Sequence, residues 1–154
     1  MASKLTLKRS AVADKVPVTG DLDYGELAIN YQDGKLFYKT ADNAIISLID
    51  GRTSTIASAA TITPVANASD TYEVTALAVN ATIAAPTGTL VANQKLLLKI
   101  KDNGTARTLN WNAIYRVVGG VILPTTTVAG KVLYVGCIYN ATDSVWDVLA
   151  VGQS

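Results

Sequence analysis

Two groups of carboxylates, Asp21, Asp23 and Glu26 and then Asp143 and Asp147, and the aromatic side chains Trp111, Tyr115, Tyr134, Tyr139 and Trp146 are the residues whose types and spacing could do chemistry. The first group could share a proton or ligate Ca²⁺, since hard cations take several oxygens at close range, but its spacing fits no EF-hand loop. The plainer reading is a solvated loop ahead of a strand. Asp143 and Asp147 could act as the two carboxylates of a glycosidase. They flank a turn in a short hairpin, however, with only Trp146 beside them to hold a sugar ring. Trp111, Tyr115 and Trp146 could line a glycan-binding surface or a subunit contact, although large aromatics in strands more often fill a core or an interface.

The chain has 154 residues and 0 histidines, so the commonest general base and metal ligand are both missing. Ser-His-Asp, Cys-His and His-based zinc sites are thereby excluded. No Gly-rich loop runs into Lys and Ser/Thr to cradle a phosphate. The chain is therefore read as non-enzymatic, with no cofactor and no metal. Cys137, the single cysteine, stands in an apolar run and cannot form an intrachain disulfide; its expected role is a small buried hydrophobe. Four N-glycosylation patterns, at Asn67, Asn80, Asn103 and Asn140, mean little without a secretory signal.

Charge and hydropathy narrow the class further. Thirteen basic and 12 acidic side chains leave a net charge of +1, which gives no nucleic-acid-binding field. No apolar run reaches the roughly 18 residues of a membrane span, and the first residues lack the apolar core of a signal peptide. The expectation is a protein made and kept in a cytoplasm, with no membrane partner. Charged residues make up 16% of the chain, against about 25% in ordinary domains. With a mean hydropathy of +0.28, this predicts a surface that lies against other subunits.

The elements that must position these residues are strands. Residues 24–40 read YGELAINYQDGKLFYKT, two alternating strands around Asp33-Gly34. Asp-Gly suits a two-residue type I′ turn, which would set Tyr31 opposite Leu36, Ile29 opposite Tyr38 and Leu27 opposite Thr40. The apolar residues then share one face, Lys39, Asn30 and Gln32 take the other, and Phe37 breaks the pattern. Residues 1–20 form an extended basic arm carrying Pro17, expected to be ordered by a partner rather than by its own core. Ile45 to Ile49 continue as an apolar strand. Residues 51–61, rich in Ser, Thr and Ala, read as a linker with the domain boundary near Ser58.

From residue 62 to 154 short β-signals recur between turns at Pro86-Thr87-Gly88 and Asp102-Asn103-Gly104, and no helix is demanded. Lys131 to Tyr139 and Ser144 to Val151 form a last hairpin in which both faces of the first strand are apolar. The fold expected is all-β: an arm, a hairpin module over residues 21–50, then a jelly-roll-like β-sandwich.

The approach Lys8-Arg9-Ser10, Lys15-Val16-Pro17 and Gly20-Asp21-Leu22, followed by Gly25-Glu26-Leu27-Ala28-Ile29-Asn30 and Asp33-Gly34-Lys35-Leu36-Phe37, resembles the amino-terminal module of tailed-bacteriophage tail fibres, tail spikes and capsid decoration proteins. A second resemblance to the closing β-domain of such proteins lies in Arg107 to Asn112, Gly119-Gly120, Pro124 to Thr127 and Val145 to Ala150. The resemblance implies a virion protein assembled in the host cytoplasm. It also implies a homotrimer, attachment through the arm, and no chemistry. The leading expectation is a capsid decoration (cement) protein that clamps neighbouring copies of the major capsid protein, with Lys4, Lys8, Arg9, Lys15 and Tyr24 in the attachment surface. The alternative is a short tail-fibre or baseplate protein that contacts tail proteins and binds a host glycan through Trp111, Tyr115 and Trp146. Four basic residues could also lie on nucleic acid, but so few charges bind weakly and an acidic protein surface serves as well.

Overall fold

A computed structural model describes residues 7–48 and 51–154, and over these the chain is all-β. It divides into two compact units, Met1–Asp50 and Gly51–Ser154.

The first unit is a single sheet of β1 (Lys8–Ser10), β2 (Leu27–Asn30), β3 (Lys35–Lys39) and β4 (Ile45–Ser47), in that order. β1 runs parallel to β2, with Lys8 beside Ala28 and Ser10 beside Asn30, while β2, β3 and β4 form antiparallel pairs. The arm is thus not a free tether awaiting a partner. Its residues 8–10 are a strand of the sheet, and Lys15 and Val12 are held through their carbonyls by the Asn30 side chain at 3.1 and 2.9 Å. Ile49 and the arm's first six residues lie outside the described residues.

The hairpin forms where expected but on a different turn. Asn30 pairs with Lys35 and Ile29 with Leu36, so the loop is the four residues Tyr31 to Gly34. Gly34 alone in that loop takes positive φ, at +69°. The cause is Asn30, whose side-chain oxygen accepts from the amides of Gln32 at 3.1 Å and Asp33 at 3.4 Å and so closes a wider turn than type I′. The faces sort as the alternation predicts, but their roles are reversed. Phe37, the apparent exception, is buried together with Ala28, Asn30 and Leu22, whereas Leu27, Ile29, Leu36 and Tyr38 stay half-exposed on the other face.

The second unit has two sheets around one core. Its strands are β5 (Thr53–Ile56), β6 (Thr61–Ile62), β7 (Thr71–Leu77), β8 (Ala81–Ile83), β9 (Lys95–Asp102), β10 (Leu109–Trp111), β11 (Tyr115–Val117), β12 (Val132–Asn140) and β13 (Val145–Gln153). The larger sheet has the order β11-β13-β12-β9-β7-β5 and the smaller one β10-β8-β6. From β5 to β11 the chain alternates between the two sheets.

That alternation corrects the jelly-roll expectation, which needs antiparallel neighbours. Here β5–β7, β7–β9, β6–β8, β8–β10 and β11–β13 are parallel, and only β9–β12 and β12–β13 are antiparallel. The turn signals are corners between sheets rather than hairpins. At the first corner Thr87 donates to the Pro64 carbonyl at 2.8 Å and accepts from Ala66 at 2.9 Å, so one corner rests on another.

Residues 51–61 are likewise not a linker. Thr53 to Ile56 make an edge strand, and Arg52 pairs with Asp70 at 2.6 Å, which moves the boundary to residue 50. Small residues and Ser/Thr suggest flexibility by composition, yet Thr suits an edge strand as well as a loop.

The core interleaves Ile62, Ala81, Ile83 and Leu109 from the small sheet with Val74, Leu96, Leu98, Ile100, Leu133, Val135, Trp146 and Val148 from the large one. Each fully buried aliphatic side chain of this kind contributes roughly 1.5–3 kcal/mol. The two apolar faces of β12 suit a place inside a sandwich or at a subunit interface; within this chain Leu133, Val135 and Cys137 are buried, while Tyr134, Gly136 and Ile138 lie on the other face and are half-exposed.

Candidate functional site

Three of the expected attachment residues, Lys8, Arg9 and Lys15, line one cavity of about 430 Å³ in the first unit, with Pro17, Leu22 and Phe37 among its walls. The fold of the arm explains this: β1 lies beside β2, and residues 15–22 return over the face that carries Ala28 and Phe37. Lys8 is engaged, donating to the Asp21 carbonyl and to Glu26 at 2.9 Å. That hydrogen bond holds the Glu26 carboxyl below its ordinary range. Arg9 and Lys15 are exposed, and their side chains hold no partner among the described residues. Tyr24 is 65% exposed and carries the Lys39 ammonium 4.6 Å from its ring centroid. Lys4 lies outside the described residues.

Asp33 and Gly34 turn the chain as expected, and Asp33 also fastens the arm. The Asp33 carboxylate accepts from the Asp14 amide at 2.7 Å and from the Asn30 side chain at 2.6 Å. Asn30, 1% exposed, is the polar centre of this unit. The carboxylates at Asp21 and Glu26 behave as loop residues: Asp21 accepts from the Val18 amide at 2.9 Å and Glu26 from the Asp23 amide at 2.8 Å.

In the second unit, Trp146 and Tyr115 are core residues. Trp146 is fully buried, and Tyr115 is 5% exposed with its hydroxyl donating to the Ala84 carbonyl at 3.0 Å. Burial raises the Tyr115 phenol pKa above its ordinary value. Trp111 is half-buried, its indole N–H on the Pro124 carbonyl at 2.7 Å and its ring edge-on to Tyr115 at 5.6 Å. Neither Trp146 nor Tyr115 has a ring face free for a sugar. Cys137 is buried as expected, and its thiol pKa is pushed up to about 12.

Asp143 and Asp147 come together, but around Arg116. Its guanidinium grips Asp147 at 2.6 and 3.0 Å and Asp143 at 2.7 Å. The Arg116 hydrogen bonds hold the Asp147 carboxyl below the usual range, the opposite of what a glycosidase acid needs. The three side chains therefore pin β11 to β13 and to the last loop.

Asp102 and Thr127 were not anticipated. Asp102 is 2% exposed and accepts from the Thr127 hydroxyl at 2.6 Å, the Gly130 amide at 2.7 Å and the Gly104 amide at 3.0 Å. Burial alone would raise its pKa, but these hydrogen bonds and nearby Arg107 outweigh it, and the net shift is downward. Among the described residues, no group of three or more Cys, Asp and Glu side chains is placed to hold a metal ion.

No protein-family model and no curated protein matches the chain. Among solved structures, one described as "Structure of a chaperone-substrate complex" aligns over 77% of this chain at 14% identity with a TM-score of 0.40. The chain spans about 20% of the length of that structure's chain. A likeness of that size carries no argument about fold or function.

Proposed function

We propose that this chain is a non-enzymatic structural protein of the tailed-phage virion, a trimeric decoration protein that clamps neighbouring capsid subunits through its first unit. The observation that carries the reading is the imbalance of that unit's surface. Among its described residues it buries three apolar side chains, Leu22, Ala28 and Phe37, and leaves Val12, Val16, Val18, Tyr24, Tyr31, Ile46 and Leu48 between 39% and 65% exposed. So small a core is marginal alone, and covering the exposed side chains on a partner adds roughly 25 cal/mol per Å² of apolar area. The exposed cations Arg9 and Lys15, on the cavity wall, suit a partner segment with acidic side chains.

The burial of Trp146 and Tyr115 weighs against the alternative, a tail-fibre protein with an aromatic glycan platform. The deciding experiment is the copy number per purified virion, by quantitative mass spectrometry against the major capsid protein. A simple fraction of the capsid subunit count is expected. A few to a few tens of copies puts the protein on the tail, and absence from virions removes the reading altogether.

A further inference from the structure

We propose that Asn103 modifies itself: its side-chain amide condenses with the Gly104 backbone nitrogen and is converted to aspartate and isoaspartate, with Asp102 and Arg107 at the same corner promoting the reaction. The reaction does not depend on what the protein binds, so it stands apart from the virion reading.

Asn103 is the chain's only asparagine followed by glycine. In such a pair the glycine nitrogen can close a succinimide ring on the asparagine Cγ, and the missing glycine Cβ leaves the approach open. Both residues are exposed. Gly104 takes φ +92°, and a Cβ added there would meet nothing within 4 Å, so the ring can form and water can reach it.

Two further groups stand where the reaction needs them. The Gly104 amide donates to the Asp102 carboxylate at 3.0 Å, within the reach of a general base from the proton it takes. Thr127 and Gly130 donate to the same carboxylate, which is 2% exposed, and so fix it in place. On the other side the Arg107 guanidinium donates to the Asn103 side-chain oxygen at 3.1 Å. That oxygen gathers negative charge as Cγ becomes tetrahedral, and a cation already in position stabilises it. Among the described residues the Arg107 side chain has no other hydrogen-bond acceptor, its Nε being buried with none, so the guanidinium is not drawn away.

The Gly104 nitrogen bonds to Asn103 Cγ and gives its proton to Asp102. The bond from Cγ to the side-chain nitrogen then breaks, and that nitrogen leaves as ammonia with the proton. Water opens the succinimide at one carbonyl to give aspartate or at the other to give isoaspartate, and nothing is oxidised or reduced. The new carboxylate lowers the chain's net charge of +1 by one unit. Isoaspartate also lengthens the backbone at the point where the Asn103 amide donates to the Leu77 carbonyl at 3.2 Å.

The test holds the purified full-length chain at neutral pH, folded in one sample and unfolded in urea in another. Ion exchange follows the more acidic form, and peptide mass spectrometry with isoaspartate detection locates the change. Conversion at Asn103 is expected to be faster in the folded chain than in urea. Arg107→Gln is expected to slow the folded rate at least about ten-fold, equivalent to about 1.4 kcal/mol of barrier, with tryptophan fluorescence reporting that the variant is folded. A folded chain that converts no faster than the unfolded one, or a folded Arg107→Gln chain that converts at the wild-type rate, overturns the proposal.

Discussion

Asn30 and Asn140 occupy the same place in two different hairpins. Each ends the first strand before a four-residue loop, with Asn30 paired to Lys35 and Asn140 to Val145. Each side-chain oxygen accepts from the amides two and three residues on: Gln32 and Asp33 in one loop, and Thr142 and Asp143, both at 3.1 Å, in the other. Each side-chain NH₂ donates to the loop aspartate, at 2.6 Å for Asp33 and 3.3 Å for Asp143. The last loop residue has positive φ in both, +69° at Gly34 and +55° at Ser144.

The shared loop has unequal consequences. Asn30→Ala removes a side chain that is 1% exposed, together with its bonds to the Val12 and Lys15 carbonyls and to Asp33, and the expected loss is about 2–3 kcal/mol in the first unit. Asn140→Ala acts at a half-exposed position where water can substitute, so less than about 1 kcal/mol is expected. Both tryptophans, Trp111 and Trp146, lie in the second unit, so their fluorescence follows that unit alone. Limited proteolysis or hydrogen exchange of residues 7–48 follows the first.

Deleting residues 1–20 is expected to unfold the first unit while tryptophan fluorescence and its urea midpoint stay unchanged. The deletion removes β1 and the backbone partners of Asn30 and Asp33. A truncated chain whose residues 21–48 remain protected in hydrogen exchange would show that the arm is dispensable to that fold.

Two glycines separate backbone strain from collision. Gly34 has φ +69°, and a Cβ added there would meet nothing within 4 Å, so Gly34→Val is expected to cost only the left-handed penalty, about 1–2 kcal/mol. At Gly88, with φ +98°, an added Cβ would stand 2.0 Å from the Asn67 side-chain oxygen. Gly88→Ala is therefore expected to lower the second unit's thermal midpoint more than Gly34→Val lowers the first's. The reverse order would mean that Asn67 moves aside freely.

Trp146→Ala should cost about 3–5 kcal/mol, the range for emptying a buried tryptophan site, read as a fall in the urea midpoint of the second unit. A loss below about 1 kcal/mol is incompatible with the core role.

Asp102 should make the second unit acid-sensitive. Its folded pKa lies below the ordinary carboxylate value, so its contribution is fully present above that value and is lost as pH falls toward and through the lower folded one. Asp102→Ala is expected to be destabilised by about 2–3 kcal/mol at pH 7, with the gap to wild type narrowing below about pH 4. A gap that stays constant down to about pH 2 would mean that the charge of Asp102 does not matter.

The legible part of this fold was local. Alternation placed Leu27, Ile29, Leu36 and Tyr38 on one face and marked the hairpins as strands, but not β1, read as part of an arm, or β5, read as part of a linker. It could not say which face is covered, because the segment that buries Phe37 comes from the arm and depends on Asn30, a polar residue whose partners are distant in sequence. Pairing direction was equally hidden. Asp102-Asn103-Gly104 has hairpin composition, but the Asp102 side chain is tied to Thr127 and Gly130, and the chain leaves for the other sheet. Among candidate site residues, the burial of Cys137 followed from its apolar run. Arg116, which binds both Asp143 and Asp147, gave no sign in sequence because its partners are 27 and 31 residues away. The repeated Asn-x-x-Asp spacing was the one signal present and unused.

Thr53 lies beside Thr71, and Thr71 beside Leu97. Each lap of the chain through both sheets therefore rests on the lap before it, as floors rest in a stairwell. The height of such a domain is a number of laps rather than a property of one closed design. A whole lap inserted between two others needs no contact of a new kind, and the antiparallel β12–β13 pair is the landing at which the climb stops.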